Sequence, residues 1–468
     1  MLRAHRLLPA LLAVPLLIPL AAAAPAEAAT SHPSVTSVSA TSGPTIGKVR
    51  ITVHGSHFTH VTAVAFGSAH GSSIDVSSST KLTVIAPAHA AGRIDVRVTT
   101  RSGTSASSSH DHFTYQLYSG VSVGYAHSCS VTSSEQVLCW GSDASGQIGD
   151  GVNHPYALTP ALAKKLSHVV AVSAGDGQTC ALRTSGSVYC WGANNAGQVG
   201  GTPSATKVST PTKVSGVTHA VAISAGTTHT CAAMDDGTVR CWGDNQFGEL
   251  GTGSTSPANG KVEKVKHLDH VIQIDAGSYF TCALLSTGKV YCWGHSAYGA
   301  LGDGDETNDR YTPTEVYISH VSSISAGQNG VCATTRGTAK CWGANDDYEL
   351  GEGSSSLYSA YPVSVVALTG VSAVAYGARD ACAVAHGAEF CWGYGGDGSI
   401  GDGATPSYQP TPAAVLSPAS VTQVAMYNLN ACQIRTNHHV YCWGYNVDGQ
   451  VGNGTQNPVT TPTRVPGT

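Results

Sequence analysis

Charge is scarce in this chain: Asp, Glu, Lys and Arg together make up 11% of its 468 residues. Neither sign dominates. The 24 basic and 29 acidic residues leave a net charge of −5, which excludes the basic footprint of a nucleic-acid binder. Beyond the N-terminal stretch, no apolar run is long enough to span a bilayer. No cysteine pair has the short CxxC spacing of a zinc knuckle. No Ser/His/Asp set is visible in local sequence, although the members of such a triad need not be local. Scarce charge does not imply disorder, because 41% hydrophobic residues is ample for a core in a chain this long. The 54 glycines, with abundant Ser and Thr, suggest many short strands joined by tight turns.

The first residues, MLRAHRLLPALLAVPLLIPLAAAAPAEAAT, combine a basic start at Arg3, His5 and Arg6 with an apolar run from Leu7 and small residues at the end. Residues 1–29 are therefore expected to be a secretory signal peptide cleaved near Ala28 or Ala29. A membrane span fits less well, since Pro9, Pro15 and Pro19 interrupt it. The C-terminal TPTRVPGT carries no anchor. The expected location is secreted, extracellular or loosely wall-associated, with no membrane insertion after cleavage.

All 14 cysteines fall into seven pairs: Cys129 and Cys139, Cys180 and Cys190, Cys231 and Cys241, Cys282 and Cys292, Cys332 and Cys341, Cys382 and Cys391, Cys432 and Cys442. Each second member is followed by Trp-Gly, which accounts for all seven tryptophans, and successive pairs are 51 or 50 residues apart. Such a period, repeated seven times, indicates a β-propeller. Each unit reads as four short strands, illustrated by VVAVSAG (169–175), TCALR, VYCWG and TPTKV (210–214). The proline of the last suits an outer edge, where no ladder donor is needed.

Hairpin arithmetic ties the cysteines together. If Cys180 faces Cys190, Leu182 faces Val188 and the loop is Thr184-Ser185-Gly186, with glycine where a left-handed residue is required. Gly237 and Gly288 stand in the same place in two other units. Where only eight residues separate the cysteines, the loops shrink to Arg336-Gly337 and His386-Gly387, which suit two-residue turns. Loop length thus changes so that the cysteines stay opposite. Seven disulfides are expected, with reduced core thiols and metal binding as the alternatives. Each short loop closed in this way would contribute roughly 2.5–3 kcal/mol.

The recurrent AGxxHTCAL…G.V.CWG.N..G.LG.G…TP..V resembles the regulator-of-chromosome-condensation repeat family, from about Leu117 to the end. Gly124, Gly175, Gly226, Gly277, Gly327 and Gly377 fill one family glycine. Gly149, Gly200, Gly251, Gly302, Gly351, Gly401 and Gly452 fill another. The resemblance implies a seven-bladed propeller over 117–468, and the paired cysteines look like a secreted bacterial branch. Tyr427 departs from the pattern, replacing the first glycine, and implies a remodelled turn. Residues 30–116 resemble the immunoglobulin-like IPT/TIG domain through SATSGPTIGKVRITVHGSHFTHVTAVAFG, LTVIAPAHAAGRIDVRVTTRSG and FTY. The strands VRITVHG and RIDVRVTT alternate apolar and polar residues, as in a half-exposed sandwich. The expected class is all-β: a seven-bladed β-propeller preceded by a small immunoglobulin-like β-sandwich.

Turns between the first two strands differ most from unit to unit: YAH, DGQ, TTH, SYF, QNG, ARD and NLN. Constant framework with variable tips suits a binding face. Tyr125, His127, His229, Tyr279, Phe280, Arg379 and Asp380 are the expected contact residues; the plain alternative is that these are solvated turns free to vary. His127 and His229 share a column with Gln178, Phe280, Gly330, Asp380 and Asn430, a position more often structural than catalytic. Asp303, Asp305, Glu306 and Asp309 lack the ordered spacing of a calcium loop and read as a solvated acidic turn. His110 with His112, and His438 with His439, read as linker and turn residues.

The expected function is a secreted, non-catalytic binding protein for an unidentified extracellular protein or glycan. It would act as a monomer, without cofactor, metal or nucleic acid. Two alternatives are kept. A secreted propeller similar to this family inhibits β-lactamases through one face, and a polysaccharide-acting enzyme is the other. Guanine-nucleotide exchange, the family's best-known activity, does not suit an exported chain.

Overall fold

The computed structural model describes residues 32–468 apart from 40, 45–46, 48, 90–91, 117–119, 153, 202–205, 257–259 and 417–419. The proposed signal peptide lies outside the described residues. Residues 34–116 fold as two β-sheets. One pairs Arg50–Ser56 with Ser34–Ser39 and Lys81–Ile85; the other is built on Gly92–Thr100, Val61–Phe66 and His112–Gln116. Alternation sends Ile51, Val53, Leu82 and Val84 from one sheet, and Val64, Phe66, Val96, Val98, Phe113 and Tyr115 from the other, into a shared core.

The rest of the chain forms seven four-stranded antiparallel sheets, each made from one continuous segment in simple sequential order. The second blade is typical: Val169–Ala174 is innermost, followed by Gln178–Arg183, Val188–Ala193 and the outer Lys207–Lys213. The register pairs Cys180 with Cys190 and Leu182 with Val188. All seven cysteine pairs are disulfides with Cα atoms 4.1 Å apart, and no cysteine among the described residues is free. In the short hairpins Arg336 and Gly337 have φ of 49° and 75°, and His386 and Gly387 of 51° and 81°. Two positive φ values in succession are the mark of a type I′ turn.

Tryptophan is the clamp between blades. Each indole Nε1 donates to a backbone carbonyl in the loop of the preceding blade, at 2.7–3.0 Å. The acceptors are the carbonyls of Gln147, Gln198, Glu249, Ala300, Glu349, Ser399 and Gln450. All seven indoles are fully buried, so each bond satisfies a donor that has no access to water. The glycine after tryptophan has a steric cause. At Gly192, φ is +102° and a Cβ would lie 2.3 Å from the Gly177 carbonyl oxygen.

Ring closure differs from expectation. A terminal TPTRV with no following unit would be expected to help close the ring against the first blade, but the final strand Val459–Arg464 pairs with Val440–Gly444 of its own blade. Closure comes instead from first-blade side chains that reach the last: Trp140 Nε1 and Ser128 Oγ both donate to Gln450 O, at 2.9 and 3.0 Å. Asn428 Nδ2 adds a bond to Tyr125 O at 3.2 Å. The same clamp used between sequential blades makes a shared strand unnecessary.

First strands surround a central cavity of about 270 Å³. Inside it Ser122, Ser173, Ser224, Asp275 and Ser325 each accept from a backbone N–H of the next blade. The turn at Tyr427 keeps the sibling length, from Met426 to Asn430 as from Ala174 to Gln178. What changes is the closing bond and the side chain. The six glycine turns each close as Gly175 N does on Gln178 O, a bond that Tyr427 N does not make to Asn430 O. Tyr427 is buried, and its hydroxyl lies 3.3 Å from Thr227 Oγ1 of the third blade, so it reaches across the cavity from the seventh.

Candidate functional site

The propeller has two faces of different construction. An upper face carries the turns from first to second strand and the loops from third to fourth. A lower face carries the disulfide-stapled hairpin turns. The sandwich lies against the lower face at the second and third blades, where Arg93 Nη1 is 3.6 Å from Asp235 Oδ2. The upper face carries the variable tips.

Four of the seven expected contact residues are not at the surface, and that expectation is corrected. His127, His229 and Asp380 are 0% exposed and Phe280 only 2%. The reason is direction: these residues open the second strand and point between blades. His127 Nε2 is 2.8 Å from Thr179 Oγ1 of the next blade, and His229 Nε2 is 3.0 Å from Thr281 Oγ1. Gln178, in the same column, donates to Gly226 O at 2.7 Å. Burial pushes His127 down to about 3 and His229 to about 4, so both are neutral hydrogen-bonding struts. Asp380 is pushed well above the ordinary carboxyl range, again by burial first.

The other three are at the surface. Tyr125 is 45% exposed, and Tyr279 and Arg379 are half-buried. Tyr279 and Arg379 have neighbours from the ends of the third strands and the loops that follow them. Tyr279 meets Phe247 edge-on at 5.5 Å, and Phe247 stacks on His295 at 4.3 Å. Arg379 makes a two-pronged bond to Asp347, at 2.5 and 2.8 Å, and lies 4.0 Å over the Tyr394 ring. Tyr408 is 48% exposed and packs edge-on against both Tyr394 and Tyr348. Fixing the guanidinium between a carboxylate and a ring lowers the entropy it would lose on meeting a partner.

Sequence reasoning missed Phe247, His295, Tyr348, Asp347, Tyr394 and Tyr408. A signal existed. Two residues after each tryptophan the chain reads Ser142, Ala193, Asp244, His295, Ala344, Tyr394 and Tyr445. Five residues after, it reads Ser145, Ala196, Phe247, Tyr298, Asp347, Asp397 and Asp448. These columns vary as much as the inspected turns and share their face.

Two of the acidic loop's four carboxylates share an internal cation. Arg310 donates to Asp303 Oδ2 at 2.7 Å and Asp305 Oδ2 at 3.0 Å, and Asp309 accepts from Ser296 N. Nor do His127 and His229 form a catalytic pair, since each is sealed in its own blade interface.

A ring of repeated four-stranded blades, with the same tryptophan clamp and disulfide in each and variable tips on one face, defines a repeat propeller. The RCC1-like domain matches residues 104–428 and the regulator of chromosome condensation (RCC1) repeat matches 437–468. The chain belongs to the RCC1 family, and an IPT/TIG domain matches residues 33–115. It is 31% identical over 242 residues to the ultraviolet-B receptor UVR8 of Arabidopsis thaliana, covering 50% of this chain and 54% of the relative. It is 30% identical over 247 residues to the human E3 ubiquitin-protein ligase HERC2, but that stretch is 5% of the relative against 50% of this chain. The chain thus spans about half or far less of these relatives' length. Among solved structures, human WBSCR16 superposes with a TM-score of 0.65 at 20% identity, covering 70% of this chain and 94% of that one. Yeast RCC1 (Prp20), solved bound to Kap60, gives 0.64 at 21%, covering 71% and 84%. At these identities the structures establish a shared fold.

Proposed function

We propose that this chain is a secreted, non-catalytic binding protein that engages a protein partner through the upper face of its propeller. The observation that carries this reading is the set of aromatic and arginine side chains on that face: Tyr279 packed with Phe247 and His295, Arg379 pinned with Tyr394 and Tyr408, and the exposed Tyr125. Tyr and Arg are the residues that most often dominate protein interfaces, especially when pre-organised. The sandwich rests against the opposite face, and among the described residues it does not cover this one. Structures of yeast relatives record Kap60 bound to RCC1 and describe Prp20p binding Gsp1p and histones, so the fold has served protein partners elsewhere. Seven disulfides and the signal-like N-terminus suit an oxidising compartment. In such a compartment neither ubiquitin transfer nor nucleotide exchange would find its substrate.

The test uses immobilised full-length protein and partners captured from native culture medium and cell-surface extracts. Tyr279→Ala, Arg379→Ala and Tyr408→Ala should each weaken capture by about tenfold or more. Thr287→Arg, at a lower-face hairpin tip, should leave it unchanged. Wild-type capture by all three upper-face variants, or loss in Thr287→Arg alone, would reject this face. Binding to a glycan array that these substitutions abolish would replace the protein partner with a carbohydrate.

A further inference from the structure

One upper-face loop is built differently in the first blade. Three residues after tryptophan, four of its siblings carry a side-chain hydrogen-bond donor that closes the loop on itself. Asn245 Nδ2 donates to the carbonyls of Ser254 and Ser256, both at 2.9 Å, and Asn446 Nδ2 to those of Thr455 and Asn457. Asn345 does the same, and Ser296 Oγ donates to Asp305 O at 2.7 Å. Asp143 stands in this position in the first blade. Its Oδ1 keeps the sibling role, accepting from Ile148 N at 2.9 Å just as Asn245 Oδ1 accepts from Leu250 N.

Its Oδ2 occupies the place of the siblings' donor, and a carboxylate oxygen has nothing to donate. Asp143 is 2% exposed, and Oδ2 has no hydrogen-bond partner. A buried carboxylate oxygen in that condition is costly unless a positive charge faces it. What does face it is a second acid and an imidazole, with Lys207 adding a weaker favourable charge. His154 Nδ1 lies 3.5 Å from Asp143 Oδ2, and His154 Nε2 lies 3.1 Å from Asp150 Oδ2. One donor atom from each of Asp143, Asp150 and His154 can be chosen so that all lie within 4.8 Å of one another.

We propose that Asp143, Asp150 and His154 bind a divalent transition-metal ion, which closes the first-blade loop as an asparagine amide closes three of the others. Two carboxylates with one imidazole favour zinc and its neighbours over calcium or magnesium, which prefer all-oxygen shells. Three protein ligands leave one tetrahedral position for water or a group from outside. The site does not depend on the binding role proposed above.

The test uses untagged full-length protein stripped with EDTA, titrated with zinc chloride by calorimetry, with metal content measured after gel filtration. The expected result is one zinc per chain, with a higher melting temperature in its presence. Asp143→Asn is the decisive variant, because it restores the siblings' amide donor. It should melt at or above the metal-free wild type yet bind zinc at least about tenfold more weakly. His154→Ala should lose binding to the same extent. Absence of stoichiometric zinc would overturn the proposal and leave His154 as an imidazole bridging two aspartates. Wild-type affinity in Asp143→Asn and His154→Ala would overturn it equally, placing the ion on other histidines.

Discussion

The phenol of Tyr376 fills the space that Gly330 leaves open in the neighbouring blade. A Cβ on Gly330 would lie 2.5 Å from the Tyr376 hydroxyl, which donates to Ala344 O at 3.1 Å. Elsewhere the column of Gly330 holds a strut such as His127, Gln178 or Phe280, and the facing column holds a small residue such as Ala174, Ala225 or Ala326. One pair has exchanged large for small in both places. Tyr376→Ala should therefore cost roughly 3–5 kcal/mol by opening a cavity. Gly330→Gln alone should also destabilise, by overpacking against the ring. Combined, the two should recover part of the loss, because the double variant rebuilds the sibling arrangement. Urea unfolding of the four proteins checks this, and additive losses would refute the exchange.

Stability should depend on pH through the buried struts. His127 and His229 are held neutral by burial, at about 3 and about 4 against an ordinary 6.5. Below 6.5 the unfolded chain takes up protons that the folded one refuses, so their contribution is complete above 6.5 and is lost as pH falls toward 4. Burial raises Glu249 and Glu349 to about 7 and Asp275 to about 6; their contribution is complete below about 4.5 and is lost as pH rises toward 7. The two sets oppose each other between about 4.5 and 6.5, so the steep acid loss appears only below that window. In His127→Gln with His229→Gln, which copy the strut Gln178, stability relative to wild type should rise by roughly 2–3 kcal/mol per histidine as pH falls from 6.5 to 4. Parallel pH curves for variant and wild type would remove the histidines as the cause.

The disulfides should each act on a single hairpin. Their short loops imply roughly 2.5–3 kcal/mol apiece, and their complete burial implies slow reduction of the folded protein. Cys332→Ala with Cys341→Ala should lower stability by about that amount and leave the fold intact. Partial reduction under mild denaturant, followed by mass spectrometry, should find pairs linked only within each hairpin. Any link between blades would contradict the register.

Much of this architecture was readable from residue order. Cys180 opposite Cys190, the three-residue loop ending in Gly186 and the two-residue loop Arg336-Gly337 all follow from counting, because a hairpin is a local object. The alternation of Ile51 and Val53, or Val96 and Val98, marked the sandwich for the same reason. The site was legible only in outline. The variable turns do lie on one face, but counting could not show that His127, His229, Phe280 and Asp380 turn inward while Tyr125, Tyr279 and Arg379 stay outside.

Residue order was enough to set the units: their number, their four strands, their staples and the family to which they belong. Local pairing and turn chemistry act over about ten residues, and each unit repeats the same instruction. Whatever depends on distant partners was left to the folded ring. Trp140 finds Gln450 across the closing joint, Tyr427 reaches Thr227 across the cavity, and Arg379 is pinned between Asp347 and Tyr394. The first two contacts exist only once the ring has closed, which brings residues hundreds of positions apart within bonding reach, and the third needs two successive blades packed side by side.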